Sequence, residues 1–504
     1  MKNLYKILIF TIFTSLLYVS CDLEENPPFL AEENVYTSVE GASAALNGIY
    51  SSMANFNNLS ADFHHATLYM SGMFVTKKGS DKATIGSLTP EPSMNYTTNL
   101  WRSSYQAIAR ANDMIANVPS DTDDEELKNI LGISYFLRAH NYFTLVRLYG
   151  GVPLYSSPAT VTTLNKERAS VEEVYALIIA DAEKAKSLMF DAGMQTGGRP
   201  GKYAASMLLA KAYLTLAGND NASPNWKKAY DEAIQVYGKY SLVANYGNLW
   251  ASEGTANNNT ESIFEIQFNE ENSSVLTKLF TPNAAYPGRG WERFRVNPEV
   301  VDAHIARYPG DPRIDFTFVS EYLKPNGQTV KVYPARTRAS FNNSYPWVSK
   351  YFIKDQTATT DASNFNYVHY RYADLLLMLA EIENELNGPA NAYTYVNEVL
   401  TRARNTAASA EPADWSGLSQ DDFRAAIMKE YHYELLAEGQ DFFVGHRRGY
   451  DFFKTNYIDV HNSRNDKSFD ITYPDNNKVM LFPIPSVEID RNEKISGTDQ
   501  NVGY

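Results

Sequence analysis

The chain has 504 residues, a formal charge of −14 and an isoelectric point near 5.2, so its surface repels phosphate backbones and argues against DNA or RNA as a partner. It is long enough to bury a large core. Length alone would accommodate about three domains of ordinary size, but no Gly/Ser linker, charge block or low-complexity tract divides the chain after residue 30, so one intertwined unit is expected.

At the N-terminus, Lys2 and Lys6 precede an apolar run from Ile7 to Val19, too short to span a bilayer and ordered like a signal peptide. It ends at Ser20-Cys21, which holds the only cysteine of the chain. A small residue before a lone cysteine resembles a bacterial lipobox, in which the thiol is acylated and becomes the new N-terminus. An ordinary secretory signal with an incidental cysteine is the blander alternative. The lipobox reading makes residues 1–20 a lipoprotein signal peptide, Cys21 the lipidation site and membrane attachment, and residues 21–35 an acidic tether with Asp22, Glu24, Glu25 and Asn26-Pro27-Pro28. This tether is similar to the acidic export signals that carry Bacteroidetes lipoproteins to the outer face of the outer membrane. No thiol is then left for a disulfide.

Residues from Asn55 to Leu100 read as irregular. Leu127 to Tyr149 is apolar on several faces and predicts a buried helix ending at Gly150-Gly151. Ser170-Val-Glu-Glu173 has capping-box spacing, and Val174, Leu177, Ile178, Ala185 and Leu188 continue at helical period, predicting a helix over 171–189. Tyr203, Met207, Ala210 and Leu214 mark the next helix, and Trp226, Ala229, Ala233 and Val236 another, with Gly218 to Pro224 as the turn. This unit resembles a degenerate tetratricopeptide repeat. Residues 240–370 carry many Asn, Gly, Pro and aromatic residues, with alternation only in runs such as Ile263 to Phe268, and predict loops with short strands. Leu375, Leu379, Ile382 and Leu386 form one stripe, and Ala392, Tyr395, Val399 and Ala403 a second after the break at Gly388-Pro389. A last helix spans 421–438. The expected fold is mainly α: a tetratricopeptide-like scaffold, an α-α superhelix, carrying long irregular loops and a few short strands.

A series of short motifs resembles the SusD/RagB-like nutrient-binding outer-membrane lipoproteins, in family order. They are Leu46-Asn-Gly-Ile-Tyr50; Trp101, Tyr105, Ile108 and Asn112; Phe136-Leu-Arg-Ala139; and Tyr149-Gly-Gly-Val-Pro-Leu154. There follow Asp311-Pro-Arg313, Arg371-Tyr-Ala-Asp374 leading to Ala380-Glu381, Val396-Asn397 with Arg402-Ala-Arg404, Glu434-Leu-Leu-Ala-Glu-Gly439, and Leu481-Phe-Pro-Ile-Pro485. The chain departs from the pattern at Gln440, where a basic residue is expected, which puts a local ion pair in doubt. Arg371, Asp374 and Glu381 read as a satisfied polar network between helices. The resemblance implies a non-catalytic lid on a SusC-like TonB-dependent transporter that captures oligosaccharides or, in a minority, oligopeptides. It divides residues 36–504, read as one SusD-like domain, into a helical-repeat part (about 36–240), a loop-rich insert (about 241–370) and a C-terminal helical part (about 371–504).

A glycan site needs flat rings to stack on sugar C–H faces and a few polar groups for hydroxyls. The loop-rich zones supply Asn283, Tyr286, Arg289, Trp291, Arg293 and Phe294; Phe341, Asn342, Asn343, Tyr345 and Trp347; and Asp62, Phe63, His64, His65, Tyr69, Asn95 and Tyr96. From these the expected binding set is Trp291, Trp347, Tyr286, Tyr345, Phe341, Arg293, Asn283 and Tyr96. Arg289 and Arg293 suit an acidic sugar unless Glu292 or Glu299 pairs with them. Trp101 and Trp226 are read as helix-packing residues. Nothing in the sequence points to catalysis, a metal or a cofactor: the histidines are scattered, with no Gly-x-Ser-x-Gly elbow and no phosphate loop. Carboxylate pairs such as Glu172-Glu173 and Asp421-Asp422 fall at helix starts, where they suit the helix dipole.

Overall fold

The computed structural model describes residues 35–76, 82–251, 253–282, 290–319, 321–324, 326–331, 345–352, 363–464 and 471–504. The signal segment and Cys21 therefore lie outside the described residues. The longer helices are α1 (Val39–Ala54), α2 (Asp62–Met70), α3 (Asn95–Asn117), α4 (Glu125–Tyr149), α5 (Val171–Leu188), α6 (Lys202–Ala217), α7 (Asn225–Val236), α8 (Pro298–Arg307), α9 (Tyr372–Asn387), α10 (Pro389–Asn405) and α11 (Gln420–Leu435), followed by the shorter α12 (Asp441–His446) and α13 (Ser486–Arg491).

Helix α4 is the central rod. From Leu127 onward only Lys128, Tyr135, Thr144 and Arg147 are not fully buried, so the helix is buried all round and packs against α1, α3 and α5 at once. Asp124 caps its start by accepting from the backbone of Glu126 and Leu127, and Gly150 ends it in the left-handed region at φ 74°. Gly132 lies where α4 meets the end of α5: a Cβ there would come within 3.0 Å of the Met189 backbone nitrogen. Helix α5 starts on the expected capping box, with Ser170 and Glu173 bonding each other's backbone. The stack then runs α5 on α6, α6 on α7, α7 on α9, and α9 on both α10 and α11. The fold is thus the expected tetratricopeptide-like array of helical pairs, and α7 meets α9 across the whole loop-rich insert.

Among the described residues, three small sheets accompany the helices. The first contains β1 (Phe74–Val75), β3 (Arg295–Val296), β4 (Phe318–Val319) and β7 (Trp347–Val348), in the order β1-β3-β7-β4. Its register aligns Val75 with Arg295, Arg295 with Trp347, and Trp347 with Val319. The second pairs β2 (Ser262–Ile266) with β8 (Tyr367–Arg371), antiparallel, and the third pairs β5 (Glu321–Leu323) with β6 (Thr329–Lys331).

A buried ionic network fastens the insert to the C-terminal helices. Arg313 is held by Asp311 (2.8 Å), Glu430 (2.7 Å) and Glu434 (3.1 Å). Arg371 reaches Glu261 (3.0 Å), Glu434 (2.8 Å) and Glu438 (2.6 Å), Arg402 reaches Glu261 and Glu434, and Lys350 reaches Glu438 (2.6 Å). Burial alone would raise the Asp311 carboxyl, but Arg313 and the hydrogen bond from His304 hold it down at about 2. Groups this deeply desolvated are tolerated because each is paired several times over.

The structure corrects three boundaries. The zone read as irregular contains α2, whose residues are all buried and therefore show no one-sided apolar period; α3 begins at Asn95, inside the same zone. Helix α8 interrupts the insert. Helix α11 ends at Leu435 and not at 438, because Ala437 turns to φ 68° and its N–H is taken by the Asp441 carboxylate at 2.9 Å.

Candidate functional site

Three chain segments converge on the four-stranded sheet. The strip leading into β3 is pinned by Phe294, which is fully buried against His65 (5.5 Å between rings), Tyr69 (5.4 Å) and Phe280 (4.8 Å). The Tyr69 hydroxyl donates to the Arg293 carbonyl. With that strip fixed, Trp291 is left half-buried, with the Lys278 ammonium 5.7 Å and the Arg293 guanidinium 5.8 Å from its ring centre. Tyr96, in the first turn of α3, is also half-buried and stacks on His65 at 4.9 Å. Burial, helped by the charges of Lys82 and Arg293, pushes the His65 imidazole down to about 3, so it stays neutral.

Of the expected binding residues, Trp291 and Arg293 lie together on this face, and Tyr96 is linked to it through His65, which stacks on Tyr96 and packs against Phe294. Tyr345 and Trp347 do not form a surface stacking platform: they are 2% and 1% exposed. Trp347 sits under the Arg295 guanidinium, 4.1 Å from its ring centre, with Tyr322 edge-on at 5.5 Å. Asn283, Tyr286, Arg289, Phe341, Asn342 and Asn343 lie outside the described residues. The two carboxylates considered as partners for Arg293 are engaged elsewhere: Glu292 pairs with Arg295, and Glu299 with His461 (2.7 Å) and Arg464 (2.8 Å). The Arg293 Nε is buried and has no hydrogen-bond partner among the described residues.

A second concavity was not legible in the sequence. A cleft of about 450 Å³ lies between α3, α13 and the loop around residues 155–165, with Trp101, Tyr105 and Tyr155 among its walls. Trp101 is buried, packs edge-on against Tyr149 at 5.1 Å and donates its indole N–H to Glu488 at 3.2 Å, so its reading as a packing residue holds while one side of it also lines the cleft. Trp226 is purely internal, donating to the Asp220 carbonyl at 2.9 Å. Among the described residues there is no cluster of three His, Cys, Asp or Glu able to hold a metal ion, and no helix long and apolar enough to cross a membrane.

Comparison with known proteins decides the family. The model described as the SusD family matches residues 217–504, more than half of the chain, and the one described as "Starch-binding associating with outer membrane" matches residues 23–214. The chain belongs to the SusD family. SusD-like proteins P2 and P25 of Formosa agariphila are 28% and 25% identical to it, the first over 99% of both chains and the second over 86% of this chain and 87% of its own. Among solved structures, a SusD homologue from Bacteroides thetaiotaomicron superposes with a TM-score of 0.77 at 23% identity, covering 94% of this chain and 98% of its own. A laminarin-binding SusD-like protein gives 0.72 at 22% (93% and 100% covered), and surface glycan-binding protein A of Bacteroides uniformis 0.73 at 21% (92% and 99%). These likenesses show a SusD fold.

Most of the SusD-like motif residues are structural. Arg371 belongs to the ionic network, Asp374 pairs with Lys211 at 2.6 Å, and Glu381 takes a two-pronged contact from Arg447 plus the Tyr431 hydroxyl. The Asp374–Lys211 and Glu381–Arg447 pairs border one small cavity and form a local polar network, while Arg371 belongs to the other. Gly439 is required where it stands: at φ 79°, a Cβ would lie 2.2 Å from the Tyr367 hydroxyl oxygen. At the departure from the family pattern, Gln440 donates its amide to the His369 carbonyl at 3.2 Å.

Proposed function

We propose that this SusD-like protein captures an oligosaccharide at the cell surface on the Trp291 face and hands it to a SusC-like TonB-dependent transporter, on which it acts as a lid, without catalysis. The observation that carries the reading is Trp291 itself, a half-buried ring set between two cations on a strip that Phe294 and Tyr69 lock in place. A ring held rigid in advance loses little entropy when a sugar stacks on it. Tyr96 supplies a second ring, and the segments carrying Asn283, Tyr286, Arg289 and Phe341 supply the remaining candidates. In this reading the helical parts, about 36–240 and 371–504, are scaffold and transporter contact, and the insert, about 241–370, is the ligand-bearing part. Acylated Cys21 anchors the chain to the outer membrane, facing the exterior. The family description, "associating with outer membrane", and the glycan-binding names of relatives in the same fold support this assignment.

Isothermal titration of the chain cut before Cys21, with that residue changed to Ser, against neutral and acidic oligosaccharides and mixed oligopeptides tests it. Saturable heat with one glycan class, abolished in Trp291→Ala, is the expected result. Heat from peptides alone would move the assignment to peptide import. Co-purification of the acylated chain with a membrane β-barrel from its native outer membrane tests the lid role.

A further inference from the structure

We infer that the α3 cleft is a second ligand site, distinct from the Trp291 face, and that it takes a carboxylated sugar ring such as a uronic acid. The choice of a sugar rests on the capture function proposed above; the existence of the site rests on the cleft's own construction. Its volume, about 450 Å³, is in the range of small-ligand sites, and its walls combine apolar rings with a few polar groups.

The walls are fixed from behind. The Tyr105 hydroxyl donates to the Pro153 carbonyl at 2.8 Å and the Tyr155 hydroxyl to the Leu164 carbonyl at 2.6 Å, so both hydroxyls are spent in holding the loop and what remains toward the cleft is ring. Asn112 donates to the carbonyls of Tyr155 and Ser157, and Asn492 to that of Lys166, closing the loop at both ends. The three rings abut, Trp101 to Tyr105 at 5.1 Å and Tyr105 to Tyr155 at 5.8 Å. Glu488 is likewise engaged, accepting from Trp101 and Asn492.

The polar groups that are not spent are two guanidinium groups and two amides. Arg102, Gln106, Asn165 and Arg491 all line the cleft, and none of their side chains has a hydrogen-bond or ion-pair partner among the described residues. The lining holds one carboxylate, Glu488, against the two unpaired guanidinium groups, which leaves the cleft net positive in a chain of net charge −14 and favours an anion. Rings for the C–H face, amides for hydroxyls and guanidinium groups for a carboxylate together describe a uronate. A neutral sugar would leave both cations unused, and a simple anion would leave the rings unused.

The test titrates the Cys21→Ser chain with tri-galacturonate, its carboxyl-reduced neutral trimer and tri-glutamate. Tri-galacturonate is expected to bind and the neutral trimer to bind at least tenfold more weakly. Affinity for tri-galacturonate should fall at least tenfold in Arg102→Gln/Arg491→Gln, which changes only exposed side chains, and in Ala109→Trp, which fills the cleft without altering charge. It should persist in Trp291→Ala. Unchanged melting temperatures show that these variants fold. No uronate binding by the parent, or binding that neither cleft variant alters, overturns the site. Equal competition by tri-glutamate overturns the sugar assignment. Loss of tri-galacturonate binding in Trp291→Ala but not in the cleft variants would place the ligand on the other face, sinking this inference while leaving the capture function standing.

Discussion

The helical scaffold and the Trp291 face spend charged residues in opposite ways. Where the scaffold holds the insert, Arg313, Arg371 and Arg402 are buried and shared among several carboxylates; on the face, Lys278 and Arg293 flank a half-exposed ring and the Arg293 Nε bonds to nothing among the described residues. A buried, fully paired cation serves the fold, and removing it costs stability. In the function proposed for this face, a cation beside a partly open ring serves recognition, and its removal is expected to cost binding. The two regions should therefore respond to substitution along separate axes.

Among the substitutions, the largest stability effect is expected for Arg371→Ala, which takes one of their buried cations from Glu261, Glu434 and Glu438 at once. A loss of about 3–5 kcal/mol in denaturant unfolding is expected, with glycan affinity of the folded fraction unchanged; lost affinity at full stability would break the division. Acid should act next. Burial holds His64, His65 and His140 down to about 3 against an ordinary value of 6.5. Each is neutral when folded and binds a proton more readily when unfolded, so its contribution is complete above pH 6.5 and fades as pH falls toward 3. Each group should cost about 1.4 kcal/mol per pH unit in that window, measurable as falling melting temperatures between pH 7 and pH 4.5. Asp311, held at about 2, adds a further loss only below about pH 4.

Smaller effects sharpen the contrast. Gly132→Ala forces a Cβ against Leu188 and the Met189 backbone and should cost about 1–3 kcal/mol by overpacking. Ser170→Ala removes one half of the α5 capping box, for about 1 kcal/mol. Trp291→Ala removes a half-buried ring that packs against the edge of the core and should cost about 1 kcal/mol of stability, yet produce the greatest loss of glycan binding of any of these variants. Melting and titration of these four variants and the parent chain, plotted against each other, display both axes.

The scaffold was legible because its signals are local. Capping at Ser170, the break at Gly388-Pro389 and the apolar stripes of α9 and α10 lie within single turns of chain. Helix α2 escaped because every one of its residues is buried, leaving no polar face to set a period. The site was only partly legible. Aromatic richness marks the segment containing Trp291, but it does not tell a ring at the surface from one like Trp347, whose burial depends on Arg295 and Tyr322 brought in by strand pairing. The α3 cleft was missed for the converse reason. Trp101 and Tyr105 are spaced as a packing face and do pack, and only Tyr155 and α13, distant in sequence, reveal that the same rings also border open space.

The pairing of β2 with β8 brings residues 266 and 367 side by side, so the whole excursion between them leaves and re-enters the scaffold through one doorway. Closing a long loop costs only slowly more as it lengthens, and Arg371, at the end of β8, is locked to Glu261 just before β2 begins. Inside the doorway the excursion is tied back to the C-terminal helices at two points, Arg313 on Glu430 and Glu434 and Lys350 on Glu438. Chain between those anchors can lengthen, shorten or change its side chains while doorway and anchors hold the superhelix in place, which makes those stretches interchangeable cartridges on a constant frame.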